Sequence, residues 1–215
     1  MLATWDELFK EEEHRWRRPS KLVVEFTRVL RRCGAGRVLD VGCGAGRHMV
    51  FLARQGFQVY GIDDSPAGLA HARAWVEQEG LEAEFRRGEM TMLPYRDGFF
   101  DGVVCVFTIY HGTLAQVRKA VAEIRRVLRP GGAALITFKS RESYRFGCGR
   151  QIEPNTFAPD EGDDAGTPHH YSDRGEVEEL LSGFSVLRLF HLQQGAKEHL
   201  SAWWVTEVTR PEGDL

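Results

Sequence analysis

Residues 37–48 read Arg-Val-Leu-Asp-Val-Gly-Cys-Gly-Ala-Gly-Arg-His (RVLDVGCGAGRH), and the rest of the chain is organised around them. Val38, Leu39 and Val41 form a short apolar run of the kind buried inside a parallel sheet. Gly42, Gly44 and Gly46 follow at alternate positions, and Met49, Val50, Leu52 and Ala53 restart an apolar pattern at helical spacing. The order is strand, glycine-rich turn, helix. Glycine lets the backbone turn tightly and come close to a ligand with no Cβ in the way. A helix N-terminus opening after such a turn offers free N–H groups to a phosphate or a carboxylate. A plain strand–helix connection would look the same in sequence. Asp40 inside the turn, and a second acidic element beyond it, favour a binding site.

That second element is Asp63, at the end of Phe57-Gln58-Val59-Tyr60-Gly61-Ile62. It lies about 20 residues past the glycine turn, the spacing at which a strand-end carboxylate can hold both hydroxyls of a ribose. The alternative is that Asp63 or Ser65 only caps a helix opened by Pro66; Asp64 is the adjacent candidate. Downstream, helical and apolar extended segments keep alternating. A helix is predicted over 66–79, strands over 82–87 and 100–107, a helix over 113–128, a break at Arg129-Pro130-Gly131-Gly132 and a strand over 133–138. Strands alternating with helices imply a parallel sheet covered on both faces. A short helix over 173–182 and two strands, 184–192 and 200–209, joined through 193–198, predict an antiparallel hairpin at the end.

Upstream, Leu2, Trp5, Leu8, Phe9 and Trp16 stand among charges, an amphipathic strap that either crosses the site or packs on the core. Ser20 is a natural N-cap and Gly34 a natural stop for a helix over 20–33. Residues 140–171 are rich in Gly, Pro, Asp and Arg with little apolar periodicity, the signature of a long functional loop. Trp203 and Trp204 are adjacent on a strand and must face opposite sides.

At 215 residues with 42% apolar and 27% charged content, the chain suits one domain with a sizeable core. A formal charge of −3 gives no electrostatic case for nucleic acid or an acidic membrane surface. No apolar run approaches the roughly 20 residues that span a bilayer. Cys33, Cys43, Cys105 and Cys148 are widely spaced and fit free thiols in a reducing cytoplasm. His169-His170 beside Asp160, Glu161, Asp163 and Asp164 lacks a repeated ligand spacing, so no metal is expected.

Taken in order, these motifs resemble the class I S-adenosylmethionine-dependent methyltransferases, especially the small type 11 group. VLDVGCGAGRH resembles the family's first motif, which implies that Asp40, Gly42, Cys43, Gly44 and Gly46 lie against the methionine part of S-adenosylmethionine. YGIDDS is similar to the segment holding the ribose, which implies that role for Asp63, with Asp64 and Ser65 beside it. RRGEMTMLPYRDGFFD resembles the stretch flanking the adenine, with Glu89 where aspartate is usual and Met90 stacking on the purine. VVCVFTIYHG is similar to the segment beside the methyl group, placing Phe107, Tyr110 and His111 there, and LRPGGAALITF resembles the motif before strand five. The implied fold is Rossmann-like: a doubly wound, seven-stranded, mostly parallel sheet with an antiparallel C-terminal hairpin, in three αβα layers. The implied organisation is an N-terminal helical strap (1–33), a cofactor-binding core (37–138), an acceptor-covering insertion (139–171) and a C-terminal helix and hairpin (172–210).

A nicotinamide dehydrogenase would share the glycine turn and the ribose carboxylate. Its GxGxxG fingerprint, however, needs glycine at 47, where this chain has Arg47. A carboxylate at Asp40 also disfavours a pyrophosphate and suits a sulfonium and an amino group. The expected reaction is in-line methyl transfer, leaving S-adenosylhomocysteine, with His111 a candidate base and Tyr110 beside it. Tyr144, Arg150, His169, His170 and Tyr171 are the candidate acceptor contacts. A small-molecule acceptor is favoured, since strand four ends in Phe107-Thr108-Ile109-Tyr110 and lacks the Asn/Asp-Pro-Pro-Tyr of nucleic-acid amino-methyltransferases. Methyl transfer to RNA or protein, a non-catalytic cofactor-binding protein and an NAD(P)-dependent oxidoreductase are the other readings. A monomer or homodimer is expected.

Overall fold

The computed structural model describes residues 5–162, 164–195 and 199–213. Leu2, Asp163 and the second half of the 193–198 turn therefore lie outside the described residues.

Apolar alternation sets the architecture. Along β1 (Arg37–Val41), Val38 faces one side of the sheet and Leu39 the other, and both are fully buried. The same splitting recurs at Val59 and Tyr60 on β2 (Gln58–Asp63), and at Val104 and Val103 on β4 (Phe100–Cys105). A sheet buried on both faces needs apolar residues at both parities, which is why these runs read as continuous. One core lies under α2 (Lys21–Arg32), α3 (Arg47–Arg54) and α4 (Pro66–Gln78), where Phe26, Leu30, Leu52 and Ala72 are fully buried. The other lies under α5 (Leu114–Val127) and α6 (Arg174–Leu180), around Phe100, Ile124 and Val177. Burying each large apolar side chain contributes about 1.5–3 kcal/mol.

Among the described residues the sheet has ten strands rather than the seven expected: its main body is ordered β3 (Ala83–Arg87), β2, β1, β4, β5 (Leu128–Ser140), β10 (Ser201–Thr209) and β9 (Ser185–Gln194), and three short strands branch from the end of β5. Pairing is parallel from β3 to β5. It turns antiparallel where β10 enters between β5 and β9. This is a Rossmann-like αβα sandwich, as the motif order implies. Strand order reverses between β1 and β4, so a crevice opens above their carboxyl ends.

Several boundaries differ from the sequence expectation. No break separates α5 from β5: the helix ends at Val127 and the strand begins at Leu128, which pairs with Phe100. Pro130-Gly131-Gly132 stays within the strand, although Gly131 turns to φ +72°, because Gly131 N–H donates to the Arg210 carbonyl and Arg210 N–H donates to that of Gly132. Residues 140–171 are not one long loop. They carry β6 (Arg150–Glu153), β7 (Thr156–Ala158) and β8 (His169–Ser172) in an antiparallel set, and β8 extends parallel from the end of β5 through Lys139–Tyr171 and Ser140–Ser172. No helix among the described residues is long and apolar enough to cross a membrane.

Candidate active site

A cavity of about 530 Å³ occupies the crevice at the strand-order reversal, within the range of small-molecule sites. Four consecutive strand ends build it: Gly42 to Ala45 after β1, Ile62 to Asp64 at the end of β2, Gly88 to Thr91 after β3, and Val106 to Thr108 after β4.

The glycine loop is shaped by its neighbours. Gly42 has φ +73°, and a Cβ there would collide with the Thr108 side chain, so this glycine lets the loops after β1 and β4 touch. Gly46 has φ +92° as the N-cap of α3, and its would-be Cβ lies 2.9 Å from the Ala72 Cα. Asp63 organises the same loop from below. Its Oδ2 accepts from Gly44 N–H at 2.8 Å and its Oδ1 from Ser65 N–H at 2.9 Å. Burial pushes the Asp63 carboxyl above its ordinary value, and these two N–H bonds oppose that.

The strap closes the cavity from above. Asp6 Oδ1 accepts from Ser65 Oγ at 2.9 Å and from Ala67 N–H at 2.7 Å, tying α1 (Trp5–Leu8) to the start of α4. Trp5, Phe9, His14 and Trp16 then reach the cavity wall. Phe9 packs on the glycine loop, its ring 2.7 Å from where a Gly44 Cβ would stand.

At the far end, Phe107 adopts φ +60°, a backbone conformation rare outside glycine and concentrated at functional sites. Its N–H donates to Thr137 Oγ1 at 2.6 Å, and its ring lies 4.9 Å from that of Trp203. Tyr110 and His111 follow, with the His111 ring 5.2 Å from Trp5 and 4.8 Å from His169. Burial, then the neighbouring His169 and Lys139, hold the His111 imidazole well below the ordinary histidine value, against an opposing hydrogen bond to the Thr108 backbone. It is a neutral imidazole at pH 7. Behind it, His169 Nε2 lies 3.3 Å from Asp164 Oδ2, and Arg145 donates to Asp164 Oδ1 at 2.8 Å. Burial brings His169 down to about 4 despite Asp164. It also brings Lys139, whose ammonium sits 4.2 Å from the Trp203 ring, down to about 8.

Of the residues singled out in the sequence, Gly42, Cys43, Gly44, Asp63, Asp64, Glu89, Met90, Phe107, Tyr110 and His111 all line this cavity. Asp40, Gly46 and Ser65 stand behind the wall. Asp40 is fully buried with neither carboxylate oxygen hydrogen-bonded, and His48 Nδ1 is 3.7 Å from it. Ser65 is the N-cap of α4, accepting from Gly68 N–H.

The five expected acceptor contacts are off the wall. Tyr144 and Arg150 are exposed. Tyr171 is fully buried against Phe146 and Phe157. His170 points away from the cavity, bonded to Thr156 Oγ1 at 2.8 Å and Glu176 Oε2 at 3.0 Å. His169 stands behind His111. The 139–171 segment instead reaches the cavity through Asp164, which sequence periodicity gave no means of choosing. Arg47 and Trp203 are also on the wall. Arg47 could have been found, since it directly follows the glycine turn. No cluster of three or more metal-ligating side chains is present among the described residues.

A methyltransferase-domain family model matches residues 38–132. The chain is 34% identical over 185 residues to a probable S-adenosylmethionine-dependent methyltransferase of Mycolicibacterium smegmatis, covering 84% of this chain and 64% of that protein. It is 37% identical over 102 residues to the demethylmenaquinone methyltransferase of Thermus thermophilus, covering 46% of each. In fold it is similar to the PH0226 protein of Pyrococcus horikoshii, with a TM-score of 0.72 at 22% identity, covering 94% of this chain and 93% of that one. The chain thus spans less than two thirds of the length of these two curated relatives.

Proposed function

Because the chain belongs to the class I S-adenosylmethionine-dependent methyltransferases, we propose that its cavity binds S-adenosylmethionine and directs methyl transfer to a small-molecule acceptor. Asp63 carries this reading: one carboxylate ties down the glycine loop and also fronts the cavity where a ribose would lie. The residues present fit that cofactor. Glycines clear the wall beside Thr108 and Phe9, and Met90 and Glu89 stand beyond Asp63 as an apolar face and an acceptor for adenine. When bound, S-adenosylmethionine supplies a methyl group already activated by its sulfonium. The protein has to align a nucleophile and exclude water, a task suited to the strap, Tyr110 and Trp203. Neutral His111 takes the proton of an acceptor that arrives protonated.

The three tryptophans on the wall, Trp5, Trp16 and Trp203, support a small, largely apolar acceptor, as does the relative named for demethylmenaquinone. Unpaired cysteines support a reducing, cytoplasmic setting. We take strap, core, insertion and hairpin as parts of one catalytic domain.

Calorimetric titration with S-adenosylmethionine, S-adenosylhomocysteine and NADH tests the proposal. Binding of the first two alone is the expected result, and binding of NADH alone would replace it with an oxidoreductase. With an acceptor found by labelled-methyl screening of small hydroxylated compounds, His111→Gln is expected to lower turnover roughly a hundredfold and leave S-adenosylhomocysteine affinity unchanged. Undiminished turnover would leave His111 as a helix-entry histidine.

A further inference from the structure

Lys139 is the penultimate residue of β5, at the carboxyl end of the strand, where α/β sheets take their ligands. It stands directly opposite Trp203 on β10, so the two side chains share one face of the sheet. Its ammonium lies 4.2 Å from the centroid of the Trp203 ring and 5.8 Å from that of Tyr110, and both of these residues are on the cavity wall. Lys139 itself is half-buried at the edge of that wall, whereas the other described lysines, Lys10, Lys21 and Lys119, are exposed.

The protein leaves this charge unanswered. Asp164 is the carboxylate of the wall at this end, and it is already shared: Oδ1 accepts from Arg145 at 2.8 Å and Oδ2 lies 3.3 Å from His169 Nε2. Among the described residues Lys139 makes no hydrogen bond or ion pair; its recorded contacts are the two rings. Ring faces offset part of the cost of withdrawing an ammonium from water, and an anion offsets more of it. With Asp164 balanced by Arg145 and both histidines neutral, the far end of the cavity carries a net positive charge beside flat aromatic surfaces.

Resting on the cofactor reading above, we propose that the methyl acceptor is a small aromatic acid, its carboxylate held by Lys139 and its apolar body laid against Tyr110 and Trp203. This narrows the acceptor from largely apolar compounds to those that also carry an anion. It links recognition to chemistry as well. Lys139 is one of the groups that disfavour a proton on His111, so an anion bound to Lys139 makes His111 the stronger base. A carboxylate could also come from the methionyl end of the cofactor, and the experiment separates the two sources.

The S-adenosylhomocysteine complexes of the unaltered protein, Lys139→Met and Lys139→Arg would be titrated with benzoate and with benzamide, a neutral compound of the same shape. The unaltered complex is expected to prefer benzoate roughly tenfold or more. Lys139→Met is expected to lose that preference and Lys139→Arg to keep most of it, with S-adenosylhomocysteine affinity the same in all three. Equal binding of benzoate and benzamide by the unaltered complex, or a preference that survives in Lys139→Met, would overturn the proposal. Weaker S-adenosylhomocysteine binding by Lys139→Met, with 5′-methylthioadenosine binding unchanged, would overturn it in favour of the cofactor's own carboxylate. If the unaltered protein bound no S-adenosylhomocysteine, the cofactor reading would fall and this proposal with it, whereas S-adenosylhomocysteine binding without benzoate binding at millimolar concentration would overturn the role of Lys139 alone.

Discussion

Replacing Asp63 by alanine is expected to raise the dissociation constant for S-adenosylhomocysteine roughly a hundredfold or more, ~2.7 kcal/mol. Hydrogen bonds to a charged group are worth about 1.5–3 kcal/mol, so loss of the ribose contacts alone approaches that figure. The structure adds a second loss. Asp63 accepts from Gly44 N–H and Ser65 N–H, so truncation also strips two backbone donors of their partner and frees the loop proposed to receive the methionyl end. The proposed ribose ligand and the support of the glycine loop are the same carboxylate. Asp63→Asn separates the two tasks from simple misfolding, because it keeps the volume and one acceptor oxygen while turning an NH₂ toward a backbone N–H. It is expected to fold normally and to bind weakly. Calorimetry beside thermal melting checks both variants, and alanine-variant affinity within threefold of the unaltered protein would remove Asp63 from the site.

This double use explains what the sequence could and could not reveal. The glycine turn and Asp63 are legible because each sits at a strand end, where continuous apolar runs stop abruptly and fixed spacing brings successive ends together. Both tryptophans of the Trp203-Trp204 pair are equally apolar, so parity separated their faces without saying which met the cavity. It is Trp203, while Trp204 Nε1 donates to the Ser172 carbonyl. Residues 150–172 hid their strands because each has four residues or fewer, too short for a period to register. Their polar side chains looked like ligand contacts for the same reason. His170 and Tyr171 are core residues of a short strand wedged between β5 and β7, and Thr156 and Glu176 answer His170 inside the protein. Arg129-Pro130-Gly131-Gly132 read as a break because its pairing partner, Arg210, is some 80 residues away.

The imidazoles of His111 and His169 at the far end of the cavity predict a marked loss of stability in mild acid. His169 and His111 both fold with their protonated forms disfavoured, His169 down to about 4 and His111 well below the ordinary value near 6.5. Above pH 6.5 both are neutral in the folded and the unfolded chain, and stability does not depend on them. Below pH 6.5 the unfolded chain takes up protons that the folded chain refuses, so stability falls as pH falls. The fall from His169 continues to about pH 4, at about 1.4 kcal/mol per pH unit, or about 3 kcal/mol in all. Carboxylates held below their ordinary values, such as Asp101 and Glu123, act in the same direction but at lower pH. The histidine contribution is therefore isolated between pH 7.5 and pH 5. Urea unfolding across that interval is expected to show a loss of several kcal/mol in the unaltered protein and about half of that loss in His169→Gln, whose side chain does not titrate. Equal losses in the two proteins would mean that His169 is already protonated in the fold, paired with Asp164. His111 would then face a charged neighbour and could not serve as the neutral base proposed for it.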